Sequence, residues 1–169
     1  MNTFKITLLG DEGVGKTTLV NRHLTGQFDK KYIATVGVDV HPLRFNTNYG
    51  PKCINIWDCA GQDKFRGLGD GYYIQSQGLI VMFDLTSKTT FKNIEKWITE
   101  YTRIADGPIV LCGTKYDISR DIDYSIITEL VRRYNIKYYE ISSKTDYNIE
   151  KPFIEILRNL ENKPDLVAM

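Results

Sequence analysis

Gly10-Asp11-Glu12-Gly13-Val14-Gly15-Lys16-Thr17 matches the pattern G-x-x-x-x-G-K-[ST]. Chance places such a string in about one chain in a hundred of this length. Its setting is narrower still, because Phe4–Leu9 reads as a strand and the run from Lys16 to about Leu24 reads as a helix. A glycine-rich turn between a strand and a helix aims backbone N–H groups at one point, beside the positive end of the helix. That is a cradle for phosphate. In this pattern Asp11, Glu12, Gly13, Val14 and Gly15 wrap the phosphates, with Thr18 closing the run. Lys16 reaches the β- and γ-phosphates, and the Thr17 hydroxyl binds Mg²⁺.

The rest of the chain alternates in the same way. Val38–Phe45 and Cys53–Trp57 are strand-like and flank Asn46-Thr47-Asn48-Tyr49-Gly50-Pro51, a turn signal that predicts a hairpin. Leu79–Leu85 and Ile109–Cys112 read as strands buried on both faces, and Tyr138–Ile141 as a shorter one. Ile94, Trp97, Ile98, Tyr101 and Ile104 fall at helical spacing, as do Ile126, Ile127, Leu130 and Val131 within Ser125–Tyr134. A last helix carries Ile149, Phe153, Ile156, Leu157 and Leu160 on one face. The Trp97 and Phe153 stripes read as core. This order predicts one α/β domain over residues 1–169, with a mostly parallel sheet covered on both faces. Ligands in such sheets sit beyond the carboxyl ends of the strands.

Composition removes several classes. The 169 residues carry 22 Lys+Arg against 21 Asp+Glu, a net charge of +1, which excludes a broadly basic nucleic-acid binder. Mean hydropathy is −0.30, and no stretch approaches the roughly 20 apolar residues of a membrane span. MNTFKITLLGDEG is too soon polar for a secretory signal, and PDLVAM holds no cysteine for a prenyl anchor. Cys53, Cys59 and Cys112 lack metal or disulfide spacing, so they read as small buried residues in a reducing compartment. The helices leave no apolar stripe over, and a monomer is expected.

Three further segments each follow a predicted strand. In Asp58-Cys59-Ala60-Gly61-Gln62, Asp58 would hold Mg²⁺ through water, the Gly61 N–H would meet the γ-phosphate, and Gln62 would orient the attacking water as the catalytic residue. In Thr114-Lys115-Tyr116-Asp117 the carboxylate of Asp117 is acceptor-only, which suits the adjacent N1–H and amine donors of guanine. Adenine, with an acceptor at N1, would leave it unpaired. GTP is therefore the expected nucleotide, ATP the disfavoured one. Ser142-Ser143-Lys144 would supply a backbone N–H to the guanine O6. Between the first helix and the hairpin, Phe28 would pack on the base and Tyr32 would cover the phosphates. Thr35 would be a second Mg²⁺ ligand and γ-phosphate sensor. Gln27–Val36 and Cys59–Tyr73 read as polar loops ordered by the γ-phosphate and released on hydrolysis.

With these motifs the chain resembles the Ras superfamily of small GTPases, and within it the Ran branch. Arg22-His23-Leu24-Thr25-Gly26, Lys30-Lys31-Tyr32, His41-Pro42-Leu43 and Gly69-Asp70-Gly71-Tyr72-Tyr73-Ile74-Gln75 carry the branch likeness. Tyr138-Tyr139, Lys151-Pro152-Phe153 and Leu166-Val167-Ala168-Met169 add to it. The resemblance implies the small G-protein fold of P-loop NTPases, a mostly parallel six-stranded sheet with one antiparallel strand. It also implies a GTP/GDP switch with Mg²⁺, acting in nuclear transport between nucleus and cytoplasm. The implied partners are importin-β-type receptors, Ran-binding domains, an exchange factor and a GTPase activator.

The departures are specific. Glu12 stands where Ran and Ras-like enzymes carry Gly, and a carboxylate there would crowd Gln62 and face phosphate oxygens of like charge. Slow, activator-resistant hydrolysis is the expected consequence, with a GTP-locked binding module as the alternative reading. Thr114 replaces the usual Asn, as in Rho-type relatives, while Cys59 replaces Thr and Ser143 replaces Ala. The chain stops at Met169 without the acidic tail of Ran, which is expected to favour the effector-binding form.

Overall fold

Apolar side chains alternate along each central strand, and this sends them to two opposite cores. Ile6 and Leu8 enter one core while Leu9 enters the other; Ile80 and Met82 are likewise opposed to Leu79, Val81 and Phe83. All eight are fully buried, each stabilising by roughly 1.5–3 kcal/mol relative to exposure. The computed structural model describes residues 2–23, 31–33, 38–58 and 70–169.

The order begins β1 (Asn2–Gly10), α1 (Lys16–His23), β2 (Lys31–Ile33), β3 (Val38–Thr47), β4 (Gly50–Asp58) and α2 (Asp70–Tyr73). It continues β5 (Gly78–Asp84), α3 (Lys88–Lys92), α4 (Ile94–Thr102), β6 (Ile109–Thr114), α5 (Tyr124–Tyr134), β7 (Lys137–Glu140) and α6 (Lys151–Glu161). The strands form one sheet in the order β2-β3-β4-β1-β5-β6-β7. Only β3 runs against the others, pairing antiparallel with β4 and with the three-residue β2. The six expected strands are present, and β2 adds a short edge beside them.

Helix α1 and α6 supply Leu19, Val20, Phe153, Ile156 and Leu157 to one core. The other core receives Tyr72 and Tyr73 from α2, Ile94, Ile98 and Tyr101 from α4, and Ile127 and Leu130 from α5. The strand register brings the carboxyl ends into one row. Leu8 pairs with Asp58, Gly10 with Met82, Asp84 with Thr114 and Gly113 with Glu140. Strand β1 stands where the strand order turns, so the Gly10–Lys16 segment leaves the sheet at the position expected for a ligand crevice.

Two segments differ from their polar reading. Within Gln27–Val36, Lys31–Ile33 pairs with β3, and within Cys59–Tyr73, Asp70–Tyr73 forms a helical turn. Tyr72 and Tyr73 are fully buried there, and the Tyr72 hydroxyl lies 2.8 Å from the Leu8 carbonyl and 2.6 Å from that of Trp57. The Lys5 amine donates to the carbonyls of Gly71 and Ile74 at 3.1 and 2.7 Å and stands 3.6 Å above the Trp57 ring. Burial pulls that amine down to about 8. Long-range pairing and aromatic burial outweigh local composition at both places. The ends of the chain's last turn brace the hairpin, with Asn48 N–H donating to Val167 and Met169 N–H to Asn46. Cys53 and Cys112 are buried free thiols, while Cys59 lies outside the described residues. Among the described residues no helix is long and apolar enough to cross a membrane.

Candidate functional site

The phosphate loop is an arc pinned at both ends. At its start, a Cβ on Gly10 would lie 2.5 Å from the Met82 carbonyl oxygen, with φ at +154°, so only glycine lets β1 run this close to β5. At its end Gly15 has φ +100°, the left-handed geometry that turns the chain into α1. No acidic residue occupies the first turn of α1, which leaves its positive end open to an anion. Lys16 is 3% exposed, and its ammonium donates to the carbonyls of Gly10 and Asp11 at 2.7 and 3.0 Å. The cation that the motif assigns to phosphate is thus held within the loop's mouth. Val14 is buried, whereas Glu12 and Gly13 at the crest are exposed.

Strand register brings the two described metal-ligand candidates together. Asp58 ends β4, Thr17 stands in the first turn of α1, and the Thr17 hydroxyl donates to Asp58 Oδ2 at 2.8 Å. A hydroxyl and a carboxylate at this separation are hard oxygen donors of the kind Mg²⁺ takes alongside substrate phosphates. Thr18 is exposed one residue further along α1. Phe28, Thr35, Gly61 and Gln62 lie outside the described residues, and Tyr32 is placed in β2 by its backbone.

The residues expected at the base lie on two adjacent loops. Thr114, 5% exposed, has its hydroxyl 2.7 Å from the Val14 carbonyl and 3.0 Å from that of Phe83, tying β6 to the phosphate loop. Lys115 has φ +63° and extends its amine to Asp84 Oδ2 at 2.7 Å. Burial pushes the Asp84 carboxyl up, but hydrogen bonds from Lys115 and Thr86 outweigh it, so the group sits below the usual carboxylate range. Asp117 is exposed, and Ser142, fully buried, donates to its Oδ1 at 2.8 Å. That bond fixes the plane of the carboxylate.

Ser142 is itself held by a backbone pair with Tyr147 at 3.0 Å in each direction, and its hydroxyl accepts from Thr145 N–H at 3.2 Å. The rings of Tyr116 and Tyr147 stack at 4.6 Å, closing the two loops against each other. Ser143 is half-buried and Lys144 exposed beside them. Arg22 of α1 forms an ion pair with Asp146 in the same loop.

Sequence reading missed the supports of this site. Asp84, Asn93, Trp97 and Tyr147 hold the recognised residues in place, yet none belongs to a contiguous motif. Trp97 read as core, and it is half-buried with its indole N–H donating to Asp11 Oδ1 at 2.9 Å. Its partner lies 86 positions away, so no local pattern announces the contact.

A phosphate loop pinned to the carboxyl end of β6, at the carboxyl edge of a mixed sheet, defines a P-loop nucleotide-binding domain. The sequence model of the Ras family matches residues 5–162, and the chain belongs to that family. It has the Ras-like P-loop GTPase fold and is a small GTPase of the GTP-binding switch type; such proteins bind GTP, GDP and Mg²⁺ and answer to regulators.

Proposed function

We propose that this small GTPase is a Ran-like switch that hydrolyses GTP to GDP and phosphate and acts in nucleocytoplasmic transport. The guanine reading rests on one observation: Ser142 orients the Asp117 carboxylate in the loop that Thr114 fastens to Val14. An acceptor-only group held in one plane matches two adjacent donors of guanine and rejects adenine, and sites of this kind discriminate by roughly 10⁴-fold. Lys16 would leave its carbonyl partners for the β- and γ-phosphates. Ser143 and Lys144 would flank the base, and Gln62 would orient water. Thr17 and Asp58, with Thr35, would hold Mg²⁺, which supplies charge neutralisation at the phosphates.

The transport role rests on the Ran-like segments of the sequence, from Arg22-His23-Leu24-Thr25-Gly26 to Lys151-Pro152-Phe153. Importin-β-type receptors and Ran-binding domains would read the GTP form, with an exchange factor and a GTPase activator driving the cycle between nucleus and cytoplasm. Retention of the GTP-loaded but not the GDP-loaded chain on an immobilised importin-β-type receptor is the expected result. Equal retention of both, or of neither, would refute the role.

A second reading is favoured by Glu12, which stands exposed at the crest of the phosphate loop. Its carboxylate would face phosphate oxygens and crowd the Gln62 water, leaving a GTP-locked binding module. Single-turnover hydrolysis of preloaded GTP, with and without a Ran-type activator, separates the two. Strong acceleration identifies a cycling switch. A slow trace restored by Glu12→Gly identifies the locked form.

A further inference from the structure

The carboxylate of Asp11 faces away from the phosphate cradle and is bound by α4. Asn93 Nδ2 donates to Oδ2 at 2.5 Å, and Trp97 Nε1 donates to Oδ1 at 2.9 Å. Both oxygens of one carboxylate are therefore taken by donors one turn apart, Asn93 just ahead of α4 and Trp97 within it. Asn93 stands at the junction of α3 and α4 and makes no side-chain cap to its own helix, its amide being turned to Asp11 instead. The carboxylate also meets the N-terminal end of α4, where the helix dipole favours negative charge.

The same Asp11 presents its main-chain carbonyl to the Lys16 ammonium. One residue thus joins the helix, through its side chain, to the phosphate-seeking lysine, through its backbone. At the far end of the arc Val14 is pinned by Thr114, so Asp11 and Val14 are the two fixed posts between which Glu12 and Gly13 present their N–H groups. Loosening one post lets the cradle relax, and displacements of ~1 Å at such a site cost about a hundredfold.

We infer that Asn93 and Trp97 are positioning residues that set how slowly the phosphate loop releases nucleotide, acting through Asp11. The inference rests on reading Gly10–Thr17 as the phosphate site. Helix α4 is then a lever on nucleotide release, reached from outside the pocket.

The test is the release rate of N-methylanthraniloyl-GDP in excess Mg²⁺ from the wild type, Trp97→Phe, Asp11→Ala and the double variant. Phenylalanine keeps a six-membered ring at position 97 and removes the indole N–H together with the pyrrole part of the ring, a loss of volume that the Asp11→Ala background carries equally. Trp97→Phe is expected to release the probe about tenfold faster or more, as follows from losing a charge-assisted hydrogen bond. In the Asp11→Ala background the same substitution should add almost nothing, and guanine-over-adenine preference should stay unchanged in both. A wild-type rate in Trp97→Phe, or an effect that simply adds to that of Asp11→Ala, would overturn the inference. Should Trp97→Phe fold poorly, Asn93→Ala runs the same cycle through the other carboxylate oxygen. A wild-type chain that binds no GDP would overturn the nucleotide reading as well; one that holds GDP beside an unchanged Trp97→Phe would overturn this inference alone.

Discussion

The hydroxyl of Thr114 lies 2.7 Å from the carbonyl oxygen of Val14, so the carboxyl end of β6 and the phosphate loop share one hydrogen bond. A threonine hydroxyl has a single proton to donate, and here two carbonyls, Val14 and Phe83, converge on it. The position tolerates Thr in place of the Asn more usual in such loops because the contact asks only for one short donor.

Replacing Thr114 by Val keeps the shape and removes that donor. The one proton that Val14 and Phe83 share is then lost, at a cost of about 1–3 kcal/mol. The urea midpoint should fall and GDP should leave faster, whereas Thr114→Ser should stay close to wild type in both. Equilibrium denaturation and a release assay on the same preparations check this.

Ser142→Ala frees the Asp117 carboxylate to rotate and deprives Thr145 N–H of its acceptor. GDP affinity should drop by roughly tenfold, the worth of one hydrogen bond to a charged group. Asp117→Ala should cost more, because it removes the acceptor itself. Calorimetric titration with GDP ranks the two variants, and equal losses would refute the positioning role of Ser142.

Gly10→Ala places a methyl 2.5 Å from the Met82 carbonyl oxygen at φ +154°. That oxygen belongs to the central sheet and has no room to yield. Destabilisation of about 1–3 kcal/mol or more is expected, read as a lower urea midpoint without any change in the far-UV spectrum of what does fold.

His23 ties stability to pH. Its ring packs against Phe153 and Phe45 at centroid distances of 4.8 and 5.5 Å, and Nε2 stands 2.8 Å from the Ile149 carbonyl. Burial pushes the imidazole below its ordinary value, against the opposing pull of the Ile149 carbonyl and the Glu150 charge. The unfolded chain therefore takes up this proton first, near pH ~6.5, and the folded one only at lower pH. The stability contributed by neutral His23 is complete above ~6.5 and falls as the pH drops through the folded value. Denaturation at pH 7.5 and 5.5 should show that loss, and His23→Gln should reduce the difference between the two.

Strands β1, β3, β4 and β5 were legible because a buried strand writes its burial into every residue: Leu79–Phe83 can sit only between two cores. The phosphate loop was legible for a related reason. Its glycines, Lys16 and Thr17 act within eight consecutive positions, so covalent distance alone brings them together. Helix α2 and strand β2 were not legible, since Tyr72 is held by carbonyls of β1 and β4, and Lys31–Ile33 by the backbone of β3.

By itself, then, the sequence determined the alternating α/β architecture and the phosphate loop, and it supplied Asp117, the acceptor on which the proposed guanine reading rests, because each depends on residue type at short spacing. Only the tertiary structure decided what holds them. Thr17 meets Asp58 across 41 positions, Thr114 meets Val14 across 100, and Asp11 meets Trp97 across 86. Contacts of that range exist only once the strands have taken their register, and no local propensity encodes which distant donor will arrive.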